Sequence, residues 1–246
     1  WAWRRRPAQA WLAASLLACA VAMKTKETAF TIPAALTLAE LVFLEGPWRR
    51  RLATLVPFYA TMVIIPATLW SAADPAGGVL DRAADVSALM NLDDTPRLVY
   101  LLTQPRVVVT YLRLLVLPAG LNFDRDFPVS TSLLEPAVLA SLALLVALLS
   151  LGVHLLARAR RSGPAGPYLR VAGFGVLWFF GTLSVTSSII PINDVINEYR
   201  VYLPSVGFLL LAVHGTRGAL EAWLRGRALL LGRGGAAALA GLIGAL

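Results

Sequence analysis

The sequence predicts an all-α polytopic membrane protein with six to seven spans and an outer interfacial helix. Three observations carry that expectation. The chain is 58% hydrophobic and 15% charged, with a mean hydropathy of +0.70, whereas a soluble domain is about 25% charged. Its apolar residues fall in runs long enough to cross about 30 Å of hydrocarbon at about 1.5 Å per residue. The arginines behind the net charge of +8 sit in short clusters between those runs, as in cytoplasmic loops. The basicity is therefore assigned to topology and not to nucleic acid.

In chain order, spans are predicted at residues 8–23, 28–44, 52–70, 133–157, 171–190 and 205–223, with a weaker seventh at 228–246. The first lacks a small-residue cleavage site and is followed at once by further spans, so it is no signal peptide. The arginine clusters at 4–6, 49–51, 158–161 and 225–227 mark the cytoplasmic side. The outer side then receives the link from Lys24 to Glu27, residues 71–132 and residues 191–204. Within 71–132, the stretch 98–118 is expected not to cross. Pro105 suits the first turn of a helix, leaving an interfacial helix at about 105–117, roughly 20 Å long and too short to span. Arg106, Thr110 and Arg113 share one face of it, and Val108, Leu112, Leu115 and Val116 lie away from that face. The competing reading is a true span with two snorkelling arginines. The single cysteine, Cys19, lies in an apolar run and forms no intrachain disulfide. The chain starts at Trp1 and stops inside an apolar segment, and is read as the middle of something longer.

Three outer stretches are chemically distinctive. In "VAMKTKETAFTIPAAL", residues 21–36, Lys24, Lys26 and Glu27 separate two apolar runs on the side where lysines are less expected. Glu27 can hold a lysine by a charge-assisted hydrogen bond; the plain alternative is a turn whose lysines rest among headgroups. In "LNFDRDFPVSTS", residues 121–132, Asn122, Asp124 and Asp126 face one way in an extended backbone. Such carboxylates suit a divalent cation or acid-base work, but Arg125 between them weakens a metal site. A structural or acceptor-binding loop is favoured, with pairing to Arg106 or Arg113 as an equal alternative. In "PINDVINEYRVYLPS", residues 191–205, Pro191 can open a short helix that makes Asp194 and Glu198 neighbours at i and i+4. Arg200 and Tyr202 follow. An arginine fork matches phosphate oxygens and tyrosines favour the interface; the plain alternative for Arg200 is a surface pair with Glu198. Glu40 lies near a cytoplasmic end and His154 and His214 near helix ends. No zinc-like spacing exists and no metal ligand is assigned.

The stretches "MKTKETAFTIPAAL", "YLRLLVLPAGLNFDRDFPVSTS" and "INDVINEYRVYLPSVGF" together resemble the membrane region of the transmembrane and tetratricopeptide-repeat protein O-mannosyltransferases and their bacterial relatives. The resemblance covers about residues 20–215. It implies a GT-C glycosyltransferase that takes mannose or another hexose from a polyprenyl-phosphate donor and transfers it to a protein hydroxyl at the outer or lumenal face. It implies Lys24, Lys26, Glu27 and Arg200 at the donor phosphate. The acidic residues thought to be catalytic, in the first outer loop, and the tetratricopeptide repeats lie outside this chain, so residues 1–246 are expected to form part of one glycosyltransferase domain. A bacterial inner membrane is the expected location, with the motif loops periplasmic. The expected partners are the lipid-linked sugar, membrane lipid and a protein acceptor, with a divalent cation left open. The rivals are a GT-C enzyme acting on lipid or polysaccharide, a lipid-linked saccharide transporter, which would bury charges midway through its spans, and a non-catalytic scaffold.

Overall fold

The computed structural model describes residues 8–72, 97–122, 125–163, 166–187, 195–220 and 223. Every regular element among them is helical. Helix α1 (Ala8–Thr25) passes through a 3₁₀ turn (Glu27–Thr31) into α2 (Ile32–Phe43), followed by α3 (Trp48–Thr61), α4 (Ile64–Ala72), α5 (Arg97–Val116), α6 (Pro136–Ala159) and α7 (Gly166–Leu183). A second 3₁₀ turn (Glu198–Val201) precedes α8 (Ser205–Leu220).

Three stretches are helical, long and apolar enough to cross a membrane: Trp48–Thr68, Leu98–Val116 and Pro136–Ala159. Helix α6 makes the physical case most clearly. Leu139, Leu144, Val146, Leu151 and Val153 are all exposed, and only 17% of its most apolar window is buried within the protein. A helix apolar all round needs an apolar surrounding, and lipid hydrocarbon supplies it.

Among the described residues the six predicted spans are largely helical, that at 171–190 only as far as Leu183, and the expectation for 98–118 is corrected. The predicted span 52–70 overlaps the candidate crossing Trp48–Thr68, whose ladder is interrupted by a turn at Met62 and Val63 between α3 and α4. The stretch 98–118 does not begin its helix at Pro105. Helix α5 starts at Arg97 and carries Pro105 in its interior, so its 20 residues reach about 30 Å and length no longer argues against a crossing. The predicted seventh span lies outside the described residues.

The buried face of α5 explains how it runs through a proline. Tyr100, Thr103, Gln104, Val107, Tyr111 and Leu114 are all buried at the three- and four-residue spacing of one helical stripe, and packing along that stripe outweighs the single hydrogen bond that Pro105 withholds. Val107, Val108 and Tyr111 meet Phe179 and Leu183 of α7 together with Ile196 and Val201 of the connector to α8. Cys19, Met23, Ala29 and Phe58 form a separate core among α1, the first 3₁₀ turn and α3. The two halves join where Phe43 of α2 meets Phe174 of α7 edge-on at 4.8 Å.

Close helix approach depends on glycine. A Cβ on Gly173 would lie 2.8 Å from the carbonyl oxygen of Gly152, and one on Gly175 would lie 2.6 Å from that of Gly207. The first contact seats α7 on α6 and the second seats α8 on α7, the small-residue mode of packing that membrane helices use.

Candidate functional site

The described parts of the connector between α7 and α8, residues 184–187 and 195–204, are held against α5. Its polar groups are held by side chains of α5. The Tyr111 hydroxyl donates to the carbonyl of Asn197 at 3.0 Å and accepts from the Asn197 N–H at 2.9 Å. Gln104 Nε2 donates to the carbonyl of Val195 at 3.2 Å, and the Tyr100 hydroxyl donates to that of Thr186 at 2.7 Å. Asn197 is extended, with φ −150° and ψ 120°; Tyr111 takes its N–H, while its carbonyl also accepts from the Arg200 N–H at 3.1 Å and so opens the 3₁₀ turn. The expected helix joining Asp194 to Glu198 is therefore absent: the chain from Val195 to Asn197 is non-helical, and Glu198 opens the 3₁₀ turn. Asp194 itself lies outside the described residues.

That turn places Arg200 inside the protein. The side chain is 4% exposed. Nη1 reaches the Tyr100 hydroxyl at 3.4 Å, a long contact, and Nη2 is enclosed with no acceptor among the described residues. The surface pair with Glu198 does not form. Instead Glu198 Oε1 accepts from Arg125 Nη2 at 2.9 Å and from the backbone N–H of Asn122 at 3.1 Å, which clips the loop after α5 to the connector. Arg200 thus has no carboxylate partner among the described residues. An enclosed guanidinium without an anion is destabilising by several kcal/mol, so an enclosed, open edge is energetically significant.

Lys26 comes to the same turn from the other half of the molecule. Thr25 ends α1, and Lys26 is extended, with φ −157° and ψ 142°. This projects the residue away from the helix axis, and its Nζ sits 4.1 Å from the centroid of the Tyr199 ring, a cation-π contact contributing about 0.5–1 kcal/mol near a surface. Lys26 thus lies against Tyr199, the sequence neighbour of Arg200. Lys24, in the last turn of α1, is exposed and is not drawn in. Glu27 opens the first 3₁₀ turn, and its side chain lies outside what is described.

The remaining predicted residues separate into structural and peripheral ones. Arg106 is half-buried and donates through Nη1 to Ser130 Oγ at 2.8 Å and to the carbonyl of Pro128 at 3.1 Å, with its Cζ 5.3 Å from the Phe127 ring centre. It anchors the loop through serine and backbone and does not pair with Asp126, which is exposed. Arg113 is exposed as well and forms no ion pair with a described residue. Asn122 contributes its backbone N–H, Asp124 lies outside the described residues, and Tyr202 is 62% exposed. Sequence reasoning missed Arg125, which it weighed only as an obstacle to a metal, and missed Tyr100 and Tyr111. The repeat of Tyr100, Gln104, Val107 and Tyr111 along one stripe was the available signal for the tyrosines.

Ser130 continues the network. Its N–H donates to Thr103 Oγ1 at 2.9 Å, and Glu135 accepts from the N–H groups of Thr131 and Ser132 at 2.8 and 3.1 Å. The Ser130 side-chain hydrogen bond, followed by those two backbone donors, holds the Glu135 carboxyl below the usual carboxylate range.

One turn along α5 from Tyr100, a cavity of about 350 Å³ is walled by Leu101, Val108, Leu145, Leu149, Phe180 and Leu183. Gln104 and Ser187 also line it, and Gln104 Oε1 and Ser187 Oγ are enclosed there without hydrogen-bond partners among the described residues. Among the described residues no cluster of three His, Cys, Asp or Glu could hold a metal ion. No protein family, curated protein or solved structure matches this chain.

Proposed function

We propose that this chain is the membrane region of a GT-C glycosyltransferase, a fold of six to seven spans, which transfers mannose or another hexose from a polyprenyl-phosphate donor to a protein hydroxyl at the outer face of a bacterial inner membrane. The observation that carries the proposal is the Arg200 guanidinium, 4% exposed, with Nη2 lacking an acceptor among the described residues. A phosphate diester offers the oxygens that edge lacks, and an arginine fork matches them in plane. Lys26 adds a second cation beside Tyr199. In a poorly hydrated site such fixed charges stabilise a departing polyprenyl phosphate more than water does. The apolar cavity one turn from Tyr100 suits the first isoprenoid units of the same donor, and its size falls in the usual ligand-pocket range of roughly 300–1,000 Å³. Lys24 and Glu27 take supporting places near the headgroup plane, and a divalent cation is left without assigned ligands. The acceptor approaches through the loop of Asn122 and Asp126.

The geometry of α5 favours an outer position for it. Tyr100 and Tyr111 lie about 16 Å apart along the helix, yet both grip the same connector, at Thr186 and Asn197. A helix bonded at both points to residues read as outer, Thr186 and Asn197, suits a place at the outer face.

The test is binding of a polyprenyl phosphate to the purified full chain in nanodiscs. Losing one charge-assisted pair costs about 2 kcal/mol, or roughly thirtyfold in affinity. Arg200→Ala should lose that much, Arg200→Lys should recover only part of it, and Lys26→Gln should show a smaller loss. Wild-type affinity in Arg200→Ala would sink the proposal.

A further inference from the structure

At the opposite end of the molecule four helix ends meet around a second pocket. The end of α2 and its following residues supply Leu41, Val42 and Glu45, the start of α3 supplies Arg51, the end of α6 supplies Leu156 and Arg160, and the start of α7 supplies Arg170. The cavity holds about 350 Å³. Three arginines from three separate helix ends converge on it, against the one carboxylate of Glu45 in its lining.

The charges are incompletely matched. Arg51 faces Glu40 with Nε 3.6 Å from Oε1, beyond hydrogen-bond length, and that Nε is enclosed with no acceptor among the described residues. No described carboxylate pairs with Arg160 or Arg170. Arg170 lies near the N-terminus of α7, where the helix dipole adds positive potential instead of cancelling it. The arginine clusters at 49–51 and 158–161, with Arg170, stand against only Glu40 and Glu45 among the described residues at this end. Beside the arginines, Leu41, Val42 and Leu156 give the pocket an apolar wall. Cations beside alkyl surface in one pocket match the headgroup and first methylenes of a phospholipid.

We propose that this pocket binds one anionic phospholipid, its phosphate between Arg51, Arg160 and Arg170 and its chains along Leu41, Val42 and Leu156. The site is separate from the Arg200 region and does not depend on what that region does.

The experiment is native mass spectrometry of the full chain in detergent, titrated with dioleoyl phosphatidylglycerol, with dioleoyl phosphatidylcholine as the zwitterionic reference and inorganic phosphate as the headgroup without chains. Wild type should retain one phosphatidylglycerol in preference to phosphatidylcholine. The double variant Arg160→Gln, Arg170→Gln should lose about thirtyfold in that affinity, at the strength typical of two interfacial arginines. Arg49→Gln, Arg50→Gln, which removes two exposed arginines outside the pocket, should change it little. Glu45→Gln, which keeps every arginine, should strengthen retention and serves if the double variant misfolds. Equal losses in the two double variants would mean diffuse surface attraction and overturn the proposal. So would equal retention of phosphatidylcholine, displacement by inorganic phosphate as readily as by lipid, or an unaltered Glu45→Gln.

Discussion

Replacing Gly207 by alanine tests whether α7 and α8 are set by backbone contact. A Cβ at residue 207 would sit 2.3 Å from the carbonyl oxygen of Gly175 and 3.1 Å from its carbonyl carbon. Both are backbone atoms, so no rotamer change relieves the clash, and the helices must part by roughly 1 Å to restore ordinary contact. The reciprocal contact, 2.6 Å from a Cβ on Gly175 to the oxygen of Gly207, shows that the approach is tight from both sides. Separation also pulls on the hydrogen bond from Trp178 Nε1 to the carbonyl of Leu203, 3.0 Å long, which holds the entry to α8. Overpacking costs about 1–3 kcal/mol, and a clash with backbone on both sides belongs at the upper end. For a chain of this size that is a fall of about 6–10 °C in unfolding midpoint, read by circular dichroism of the purified full chain in detergent. Gly181→Ala and Gly215→Ala are the controls in the same two helices, since nothing lies within 4 Å of a Cβ at either position. They should leave the midpoint unchanged or slightly raised, alanine being the better helix former by up to ~1 kcal/mol. A Gly207→Ala midpoint no lower than that of Gly215→Ala would refute the close-packing account.

Three further outcomes are expected. Tyr111→Phe removes both bonds to Asn197, whose carbonyl keeps the bond from the Arg200 N–H at 3.1 Å; losing two buried bonds should cost about 1–3 kcal/mol of stability and weaken polyprenyl phosphate binding together with it, and an unshifted midpoint would argue against the pinned connector. On a Cys19→Ala background, single cysteines at Ala84 and at Asn122 should both react with an impermeant thiol reagent from the outside, and labelling from opposite sides would show that α5 crosses. Because the Glu135 carboxyl is held below its ordinary value of 4.5, the stability it contributes is complete above that value and lost as pH falls through the lower folded value; Glu135→Gln should flatten the acid limb of a melting profile, and an identical limb in both proteins would remove Glu135 from that role.

The helices were legible wherever an apolar run was long and uninterrupted, as in α6, because length and hydropathy are properties of contiguous residues. Pro105 misled because a proline is read locally, whereas α5 is held by a buried stripe that continues through it from Tyr100 to Leu114. The lysine link and Arg200 stood out as cations at predicted outer ends, but the contact of Lys26 with Tyr199 did not, since Lys26 and Tyr199 are joined by no periodicity. The Arg125 to Glu198 pair was illegible for the same reason: it spans 73 residues between two loops, and each partner had a nearer charge to be matched with. Gly175 and Gly207 carried a weak signal, as small residues within apolar helices usually face another helix, without indicating which glycine meets which.

The identity of the residues around the α7–α8 connector follows from its surroundings. Irregular backbone packed among apolar helices is tolerated only when its N–H and C=O groups are matched by protein. Tyr111 serves both groups of Asn197, Gln104 serves Val195, and Tyr100 serves Thr186, so each long polar side chain on the buried stripe of α5 serves a connector group. Phenylalanine would fill the same space at Tyr100 or Tyr111 and withdraw those hydrogen bonds. Gln104 Oε1, Ser187 Oγ and the Nη2 edge of Arg200 depart from this pattern, left open among the described residues, and of the three only Arg200 carries a charge. Methionine or leucine would fill its volume without that penalty. On the proposed function, an anion from beyond the described residues accounts for an arginine at that position where packing alone does not.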